Sequence, residues 1–497
     1  MSTLPAAWRS HASSLRKHLA RRVGSMSYLR RWLLLGTLLG GVAGLGAIVF
    51  YAALSLATRL LLGELAGYEV PTPFAEGNDL HSAHLGHAWL VPAIVALGGL
   101  ISGVLVFTFA PEAEGHGTDA AISAVHHDPR GVRVRTVIVK IVASAVTIGS
   151  GGSGGREGPT AQISAGFGSL LARVLDLSPQ DGRIAVSVGI GAGIGSIFGA
   201  PLGGALLCAE LLYRDDMDIS ALVPGFIASI VGYTVFSAVY GFEPLFGFAA
   251  GGYHFHEPVQ LAWFALLGVI CGGVGLLYAR CFYGGVDLFA RLPVSRFLKP
   301  AIGGLAVGLI ALVMPQVLGT GYGWIQRGLS RSLLSIPLWI VLVLPLAKML
   351  ATTLSIGSGG SGGVFGPGMV IGAFTGAAVW RLLAPIAPGI PHDPAAFVIV
   401  AMMACFGSIA RAPLAMMLMV SEMTGSFEAL APAMVAVGIA TLIVERFDDT
   451  IYRSQLNRRA KPPLAHPRGA QSARPTPRGA PDSPSRSSSS PSRSRVA

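Results

Sequence analysis

An acidic side chain lies in one of two nearly identical glycine-rich stretches of this sequence. The stretch IGSGGSGGREGP occupies residues 148–159, and IGSGGSGGVFGP occupies residues 356–367. They differ just before the final Gly-Pro, where the first copy has Glu157 and the second has Phe365. Glycine leaves backbone N–H groups uncovered, and a carboxylate can accept hydrogen bonds from such groups or take up a proton. The two stretches therefore predict an anion-binding site with a titratable group beside it.

Composition indicates that this site lies in a membrane. Of the 497 residues, 52% are hydrophobic and 12% are charged, whereas soluble proteins carry about 25% charged residues. The apolar segments 88–110 and 220–242 contain no charged residue. Both exceed the ~20 residues that span a hydrocarbon core. We count about ten or more apolar stretches between residues 32 and 447, several broken by Gly or Pro. The sequence predicts a polytopic α-helical membrane protein and excludes a soluble globular domain.

The basic charge of the chain is concentrated at its two ends. Residues 1–31 hold seven Lys/Arg and no acid, and residues 453–497 hold ten Lys/Arg and one acid. Positive flanks stay on the cytoplasmic side, so we expect both termini to be cytoplasmic and the protein to lie in the cell (inner) membrane. We interpret 1–31 as a basic cytoplasmic segment and 459–497 as a disordered tail rich in Pro, Ser and Arg. Neither end interleaves aromatic residues with Arg, which argues against a nucleic-acid partner.

The repeat extends beyond the glycines. GSIFGAPLGGALLCAEL follows the first copy and GSIARAPLAMMLMVSEM follows the second. Both contain G-S-I-x-x-A-P-L, and a glutamate, Glu210 or Glu422, stands nine residues after each proline. A long-period duplication in a membrane protein is typical of transporter folds, whose paired broken segments mark a midplane site. We predict one membrane repeat over 32–250 and a second over 251–447.

Each glycine-rich stretch is predicted to end a loop and begin a helix inside the membrane. Glycine continues a helix poorly, and proline, here Pro159 and Pro367, is favoured in a first helical turn. Irregular backbone at membrane depth is tolerated only against protein or a wet cavity. The free N–H groups and the dipole of a helix N-terminus attract anions. The predicted fold class is an all-α polytopic membrane protein with two inverted-topology repeats, whose broken half-helices meet at a midplane anion site.

Glu157 then has two interpretations. An acid at membrane depth is costly enough to be functional by default. In the favoured hypothesis its carboxylate competes with a permeant anion for the same amides and leaves when it is protonated. It would thus be both gate and proton acceptor. In the alternative, Glu157 forms a simple ion pair with Arg156.

At these residues the sequence resembles the CLC family of chloride channels and proton/chloride exchangers, in its bacterial type without regulatory domains. The similar motifs are GREGP at 155–159, GGVFGP at 362–367, GHGTD at 115–119 and DDTIYRSQL at 448–456. The resemblance covers roughly residues 110–458. It implies a homodimer of inverted-repeat subunits, each with its own pore, and a last pore-facing helix at 448–458.

The resemblance also implies roles for individual residues. Glu157 would be the gating glutamate, and chloride would be the transported substrate, with no cofactor. The anion-binding residues would be His116, Gly155, Arg156, Gly158, Val364, Phe365 and Tyr452. His116 departs from the family, which most often has Ser there, and Asp119 replaces the proline of the motif. The imidazole of His116 either donates to the anion, which would make conduction pH-sensitive, or points away and leaves the contact to backbone amides.

A second departure concerns proton coupling. Exchangers of the family carry an inner proton-transfer Glu ten residues after the A-P-L proline, where this chain has Leu211. Glu210 is one residue earlier, about 100° away around the helix, and its repeat mate Glu422 suggests a structural role. The sequence therefore favours a chloride channel or uncoupled chloride transporter, with Glu210 as an uncertain member of any proton path. A proton-coupled chloride antiporter is the alternative, and a fluoride exporter is a more distant one.

The sequence contains no catalytic or metal-binding constellation. We find no paired carboxylates and no nucleophile with a base, so we expect a non-enzyme. His81, His84 and His87 are spaced three apart, but they lie in a polar loop between membrane segments, and no metal is expected there. The expected partners are the lipid bilayer, chloride, protons if coupling exists, and a second copy of the chain.

Overall fold

The structure, a computed structural model, describes most of the chain between the two basic ends. The described residues are His18, 21–80, 86–210, 217–247, Phe255 and 257–447. The predicted last helix at 448–458 and the predicted tail at 459–497 lie outside them. Within the described residues the regular structure is helical, without β-strands.

The first eight described α-helices follow one another between residues 28 and 240. They are α1 (Tyr28–Thr58), α2 (Val91–Phe109), α3 (Thr118–His126), α4 (Val134–Gly149), α5 (Glu157–Val174), α6 (Pro179–Phe198), α7 (Pro201–Glu210) and α8 (Ile219–Tyr240). A π-helical segment, Arg59–Leu65, continues α1.

Eight further helices repeat this order of long and short elements. They are α9 (Gln260–Arg291), α10 (Lys299–Val313), α11 (Tyr322–Gly328), α12 (Leu338–Ile356), α13 (Phe365–Leu383), α14 (Ala395–Ala410), α15 (Pro413–Thr424) and α16 (Leu430–Phe447). The helix order thus agrees with the predicted duplication, and the fold class of two inverted repeats with broken helices is confirmed. The exact limits of the two repeats, 32–250 and 251–447, stay a prediction.

Six described helices are long and apolar enough to cross a membrane. They are Tyr28–Leu65, Ala88–Phe109, Ile219–Tyr240, Gln260–Arg291, Leu338–Ile356 and Leu430–Phe447. The predicted spans 88–110 and 220–242 are among them. Other apolar stretches form shorter helices such as α7 and α15, because Gly and Pro interrupt them. These short helices begin at the A-P-L prolines, Pro201 and Pro413, whereas the helices at the glycine-rich stretches are α5 and α13.

Glycines let the two repeats pack closely at the α2–α10 contact. A Cβ placed on Gly99 would lie 2.2 Å from the carbonyl oxygen of Pro300, and one on Gly304 would lie 2.4 Å from that of Val95. Side chains larger than a hydrogen would therefore force these helices apart. Close backbone approach through small residues is a common basis of helix association in membranes.

Two glutamates join the repeats by matching contacts. The carboxylate of Glu210, at the end of α7, accepts hydrogen bonds from the amides of Leu414 (3.0 Å) and Ala415 (2.6 Å) at the start of α15. Glu422, near the end of α15, accepts from the amides of Leu202 (3.0 Å) and the next residue (2.8 Å) at the start of α7. Reciprocal contacts of this kind are the mark of a twofold relation. Each carboxylate satisfies orphan N–H groups and complements a helix dipole.

Because the two contacts are equivalent, Glu210→Gln and Glu422→Gln should destabilise the protein to a similar extent. Glutamine keeps one acceptor oxygen but loses the charge and directs an NH₂ group at a backbone donor. We expect a loss on the order of 1–2 kcal/mol for each, measured as a lower melting temperature in detergent. Glu445→Gln, on the exposed end of α16, is the matched control. Melting temperatures equal to that of this control would contradict the capping role.

Candidate anion site

The two glycine-rich stretches meet in an antiparallel contact. The amide of Gly155 donates to the carbonyl of Gly363 (2.8 Å), and the amide of Gly363 donates to the carbonyl of Gly155 (2.7 Å). Helices α5 and α13 begin two residues later in each copy, at Glu157 and Phe365. The predicted start of a helix after each stretch is therefore confirmed, and the two helix N-termini lie side by side.

The carboxylate of Glu157 binds the helix of the other repeat. Glu157 is 2% exposed, and its Oε1 accepts a hydrogen bond from the amide of Phe365 at 2.7 Å. Its Oε2 has no hydrogen-bond partner among the described residues. A charged side chain therefore occupies the N-terminus of α13, where an anion is favoured by the free amides and the helix dipole.

Glycine is required around this carboxylate for steric reasons. A Cβ on Gly363 would lie 2.1 Å from Glu157 Oε1, and a Cβ on Gly155 would lie 2.2 Å from Oε2. Both distances are far below a van der Waals contact. We refer to the space bounded by Gly155, Gly363 and the Phe365 amide as the carboxylate seat.

Val364 and Phe365 form an apolar wall whose position is fixed by neighbours. The hydroxyl of Tyr278 donates to the carbonyl of Val364 (2.9 Å). The Phe365 ring stacks on Phe198 with centroids 5.3 Å apart and meets Phe406 edge-on at 4.6 Å. Aromatic pairs at these separations hold a ring in one orientation, so the backbone amide of Phe365 is presented to the seat by a rigid element.

His116 lies in a loop that touches the start of α5. A Cβ on Gly158 would lie 2.0 Å from the His116 carbonyl oxygen, so glycine permits this contact. The imidazole is fully buried, and its Nδ1 lies 3.5 Å from Asp119 Oδ1. Its ring centroid lies 6.2 Å from that of Phe282. This nitrogen therefore faces Asp119, and an anion-binding role for His116 stays a prediction.

Two buried lysines were not singled out by the sequence analysis. Lys140 Nζ donates to the carbonyl of Gly115 (2.8 Å) and to that of the residue two positions earlier (3.0 Å). Lys348 Nζ makes the two equivalent hydrogen bonds, to the carbonyls of Gly319 (2.8 Å) and Val317 (2.9 Å). The lysines are 208 residues apart, which is the offset of the glycine-rich stretches, so an alignment of the two repeats would have found them. Each holds the loop that precedes a short helix, α3 or α11.

Arg156 does not pair with its neighbour Glu157. Its Nη1 lies 2.5 Å from Glu76 Oε1, and its guanidinium lies over the rings of Tyr51 (5.3 Å), Tyr322 (5.0 Å) and Phe198 (5.6 Å). The alternative of a simple Arg156–Glu157 ion pair is therefore wrong. Glu76 had no sequence signal, because it lies in a single 3-10 turn, Phe74–Glu76, outside both glycine-rich stretches.

Several predicted residues are not brought to this site or are not described. Glu210 binds the amides of α15 through both oxygens. Leu211 and Tyr452 lie outside the described residues, as do His81 and His84, so their predicted roles stay predictions. Among the described residues no group of three or more His, Cys, Asp or Glu side chains is arranged to hold a metal ion.

The sequence of this chain is similar to those of known proteins. Residues 98–445 match the family described as "Voltage gated chloride channel". The H(+)/Cl(-) exchange transporter ClcA of Yersinia pestis bv. Antiqua is 30% identical, over 72% of this chain and 74% of that protein. The putative chloride channel protein ClcB-like of Ralstonia nicotianae is 29% identical, over 70% of this chain and 81% of that protein.

Solved structures share the fold. A slow cyanobacterial Cl⁻/H⁺ antiporter aligns with a TM-score of 0.76 and 22% identity, over 86% of this chain and 98% of its own. A CLC-type fluoride/proton antiporter aligns with a TM-score of 0.71 and 21% identity over the same shares. At these identities the likeness concerns the arrangement of the helices.

The carboxylate seat yields a steric prediction. In Gly363→Ala the added methyl group would overlap Glu157 Oε1, so the side chain should leave the seat and anion flux at neutral pH should rise. Flux from reconstituted vesicles measures this, and Gly438→Ala, where a Cβ meets nothing within 4 Å, is the control. In a Glu157→Ala background, Gly363→Ala should have little further effect. A large fall in flux in that background would mean that the methyl group damages the pathway itself.

Proposed function

Because this chain belongs to the voltage-gated chloride channel family and is a chloride-transporting membrane protein, we propose that Glu157 gates its anion pathway. The observation that carries the proposal is the hydrogen bond from the Phe365 amide to the buried Glu157 carboxylate, at 2.7 Å. A permeant anion needs the same donors. The carboxylate therefore acts as a tethered anion that closes the pathway while it occupies the seat.

Protonation provides the opening step. A neutral carboxyl group has lost most of its attraction to the helix dipole and to the amides, and chloride can then take its place. Because Oε2 of Glu157 has no partner among the described residues, this oxygen is available to accept the proton. Chloride in the seat would be held by Phe365 and its neighbours, the proposed anion-binding residues Gly155, Gly158 and Val364 among them.

We propose that conduction is not coupled to protons. Transfer across the protein would need a titratable group or water at each end of the route. Glu157 would serve the outer end, and Leu211 would stand at the inner one. Glu210 is an unsuitable substitute, because both of its oxygens already accept hydrogen bonds from α15. A coupled antiporter is the second candidate, and the similarity to a relative named an H(+)/Cl(-) exchange transporter favours it.

The proposal includes an assembly and an orientation. We infer a homodimer in the inner membrane with both termini cytoplasmic, supported by the basic ends of the sequence and by the family resemblance. The family is one of channels and transporters, and we infer further that this chain carries no enzymatic activity and needs no cofactor. Cross-linking of the purified protein in lipid vesicles would test the dimer.

Glu157→Gln should mimic the protonated gate. We expect chloride flux that persists at neutral and high pH, where the carboxylate closes the wild-type pathway. Flux from vesicles over a pH series measures this, and Glu64→Gln, an exposed acid in the π-helical segment that continues α1, is the control. A mutant that keeps the pH response of the wild type would remove Glu157 from the gate.

The reversal potential tests coupling. With a chloride gradient and an imposed pH gradient across a planar bilayer, the reversal potential should follow the chloride gradient and ignore the pH gradient. The reason is that the proposed route lacks an inner proton acceptor. A potential that moves steadily with the pH gradient would make the protein an antiporter, and Glu210→Gln would then test the nearest described acid.

A further inference from the structure

A cavity of about 440 Å³ lies next to the gate, on the side of Arg156. Its wall includes Tyr51 and Thr58 of α1, Glu69 and Glu76 of the following loop, and Tyr322 at the start of α11. A smaller cavity of about 50 Å³ lies beyond Glu76 and Arg156, which line both spaces. The Glu76–Arg156 ion pair is therefore a partition between two cavities.

Arg156 has donor capacity that the fold does not use. The residue is 3% exposed, and one nitrogen, Nη1, is bound to Glu76 at 2.5 Å. Its Nε is buried without a hydrogen-bond partner among the described residues. A buried unsatisfied donor is expensive and calls for an explanation. Three aromatic rings pack against the guanidinium and fix its orientation.

Tyr322 supplies a second unused donor beside the first. Its ring lies 5.0 Å from the Arg156 guanidinium carbon, and its buried hydroxyl has no hydrogen-bond partner among the residues described. A Cβ on Gly366 would lie 2.6 Å from this hydroxyl. The hydroxyl therefore lies between the cavity wall and the first turn of α13, close to the carboxylate seat.

Glu76 is held against Arg156 by the backbone of its loop. The amide of Phe74 donates to Gln326 Oε1 (3.3 Å), and the amide of Ala75 donates to the carbonyl of Leu245 (3.2 Å). The carboxylate itself is one-fifth exposed and can exchange between Arg156 and water. The remaining charged residues of the larger cavity are Glu69 and Arg59, and Arg59 is paired with Glu64 at 3.4 Å.

We propose that this cavity is an outer anion-binding station, where a small anion displaces the Glu76 carboxylate from Arg156. The guanidinium of Arg156, released from Glu76, and the Tyr322 hydroxyl then hold the anion one step before the carboxylate seat. Replacing one anion by another leaves the charge of Arg156 compensated, so the exchange avoids a bare buried cation. Glu76 thus competes with the incoming anion for Arg156 and sets the outer anion concentration that is needed for entry. The inference rests on chloride transport by this chain but not on Glu157 as its gate.

The test is chloride dependence measured separately on the two sides of the membrane. In whole-cell recordings of the full chain, chloride is titrated first in the bath and then in the pipette. Glu76→Gln should lower the half-saturating chloride several-fold on the cavity side, with the maximal current and the other side unchanged. Glu69→Gln, which removes an exposed acid of the same cavity that does not bind Arg156, is the matched control.

Tyr322→Phe separates a binding role from a structural one, since it removes one oxygen from a packed ring. In the Glu76→Gln background it should raise the half-saturating chloride on the cavity side again, because the anion loses a donor. Equal shifts on both sides, or equal effects of Glu76→Gln and Glu69→Gln, would overturn the station. A wild-type protein that carries no chloride current would overturn the proposed function and this inference together, whereas failure of Glu157→Gln alone would leave the station standing.

Discussion

The backbone N–H groups at the start of α5 and α13 impose the central constraint on this protein. They lie in a buried region where an unsatisfied donor is costly, and two helix dipoles reinforce their preference for negative charge. The Glu157 carboxylate satisfies the Phe365 amide from within the chain. Its approach requires glycine at positions 155 and 363, because any side chain there would overlap the carboxylate oxygens. Glycine at these two positions is thus a steric requirement for the contact between the carboxylate and the backbone.

The twofold relation of the repeats explains how two helix N-termini are brought to one place. Hydroxyl pairs that join each glycine-rich stretch to a helix of the other repeat match across the repeats: Ser144–Ser361 and Ser153–Thr352 are both 2.9 Å apart. Glu210 makes the reciprocal of the contacts made by Glu422. Each contact is therefore made twice, and a displacement of one repeat would strain both members of every pair. These paired contacts hold the carboxylate seat more firmly than contacts from one repeat alone would.

The sequence predicted those features that depend on local chemistry or on repetition. The helix starts after each glycine-rich stretch, the burial of Glu157 and the structural pairing of Glu210 follow from residue types and from a common offset. The Glu76–Arg156 contact could not be predicted, since Glu76 lies in a short 3-10 turn eighty residues away along the chain and no periodicity marks it. Lys140 and Lys348 could have been predicted, because 208 residues separate them, as they separate the two glycine-rich stretches. Leu211 and Tyr452 lie outside the described residues, so their predicted roles rest on the resemblance alone.

The repeats share their structural contacts, charged ones included, and differ at the two residues that precede Gly-Pro in each glycine-rich stretch. Arg156 and Glu157 belong to one copy, and the matching positions of the other copy are Val364 and Phe365. A second carboxylate at position 365 would face the twofold-related amides of α5, beside the first carboxylate. Two adjacent carboxylates do not both ionise readily, so one of the two would be neutral. The difference between the repeats at this position therefore leaves a single carboxylate, the proposed gate, on a twofold scaffold, and the aromatic ring of Phe365 fixes the amide that this carboxylate binds.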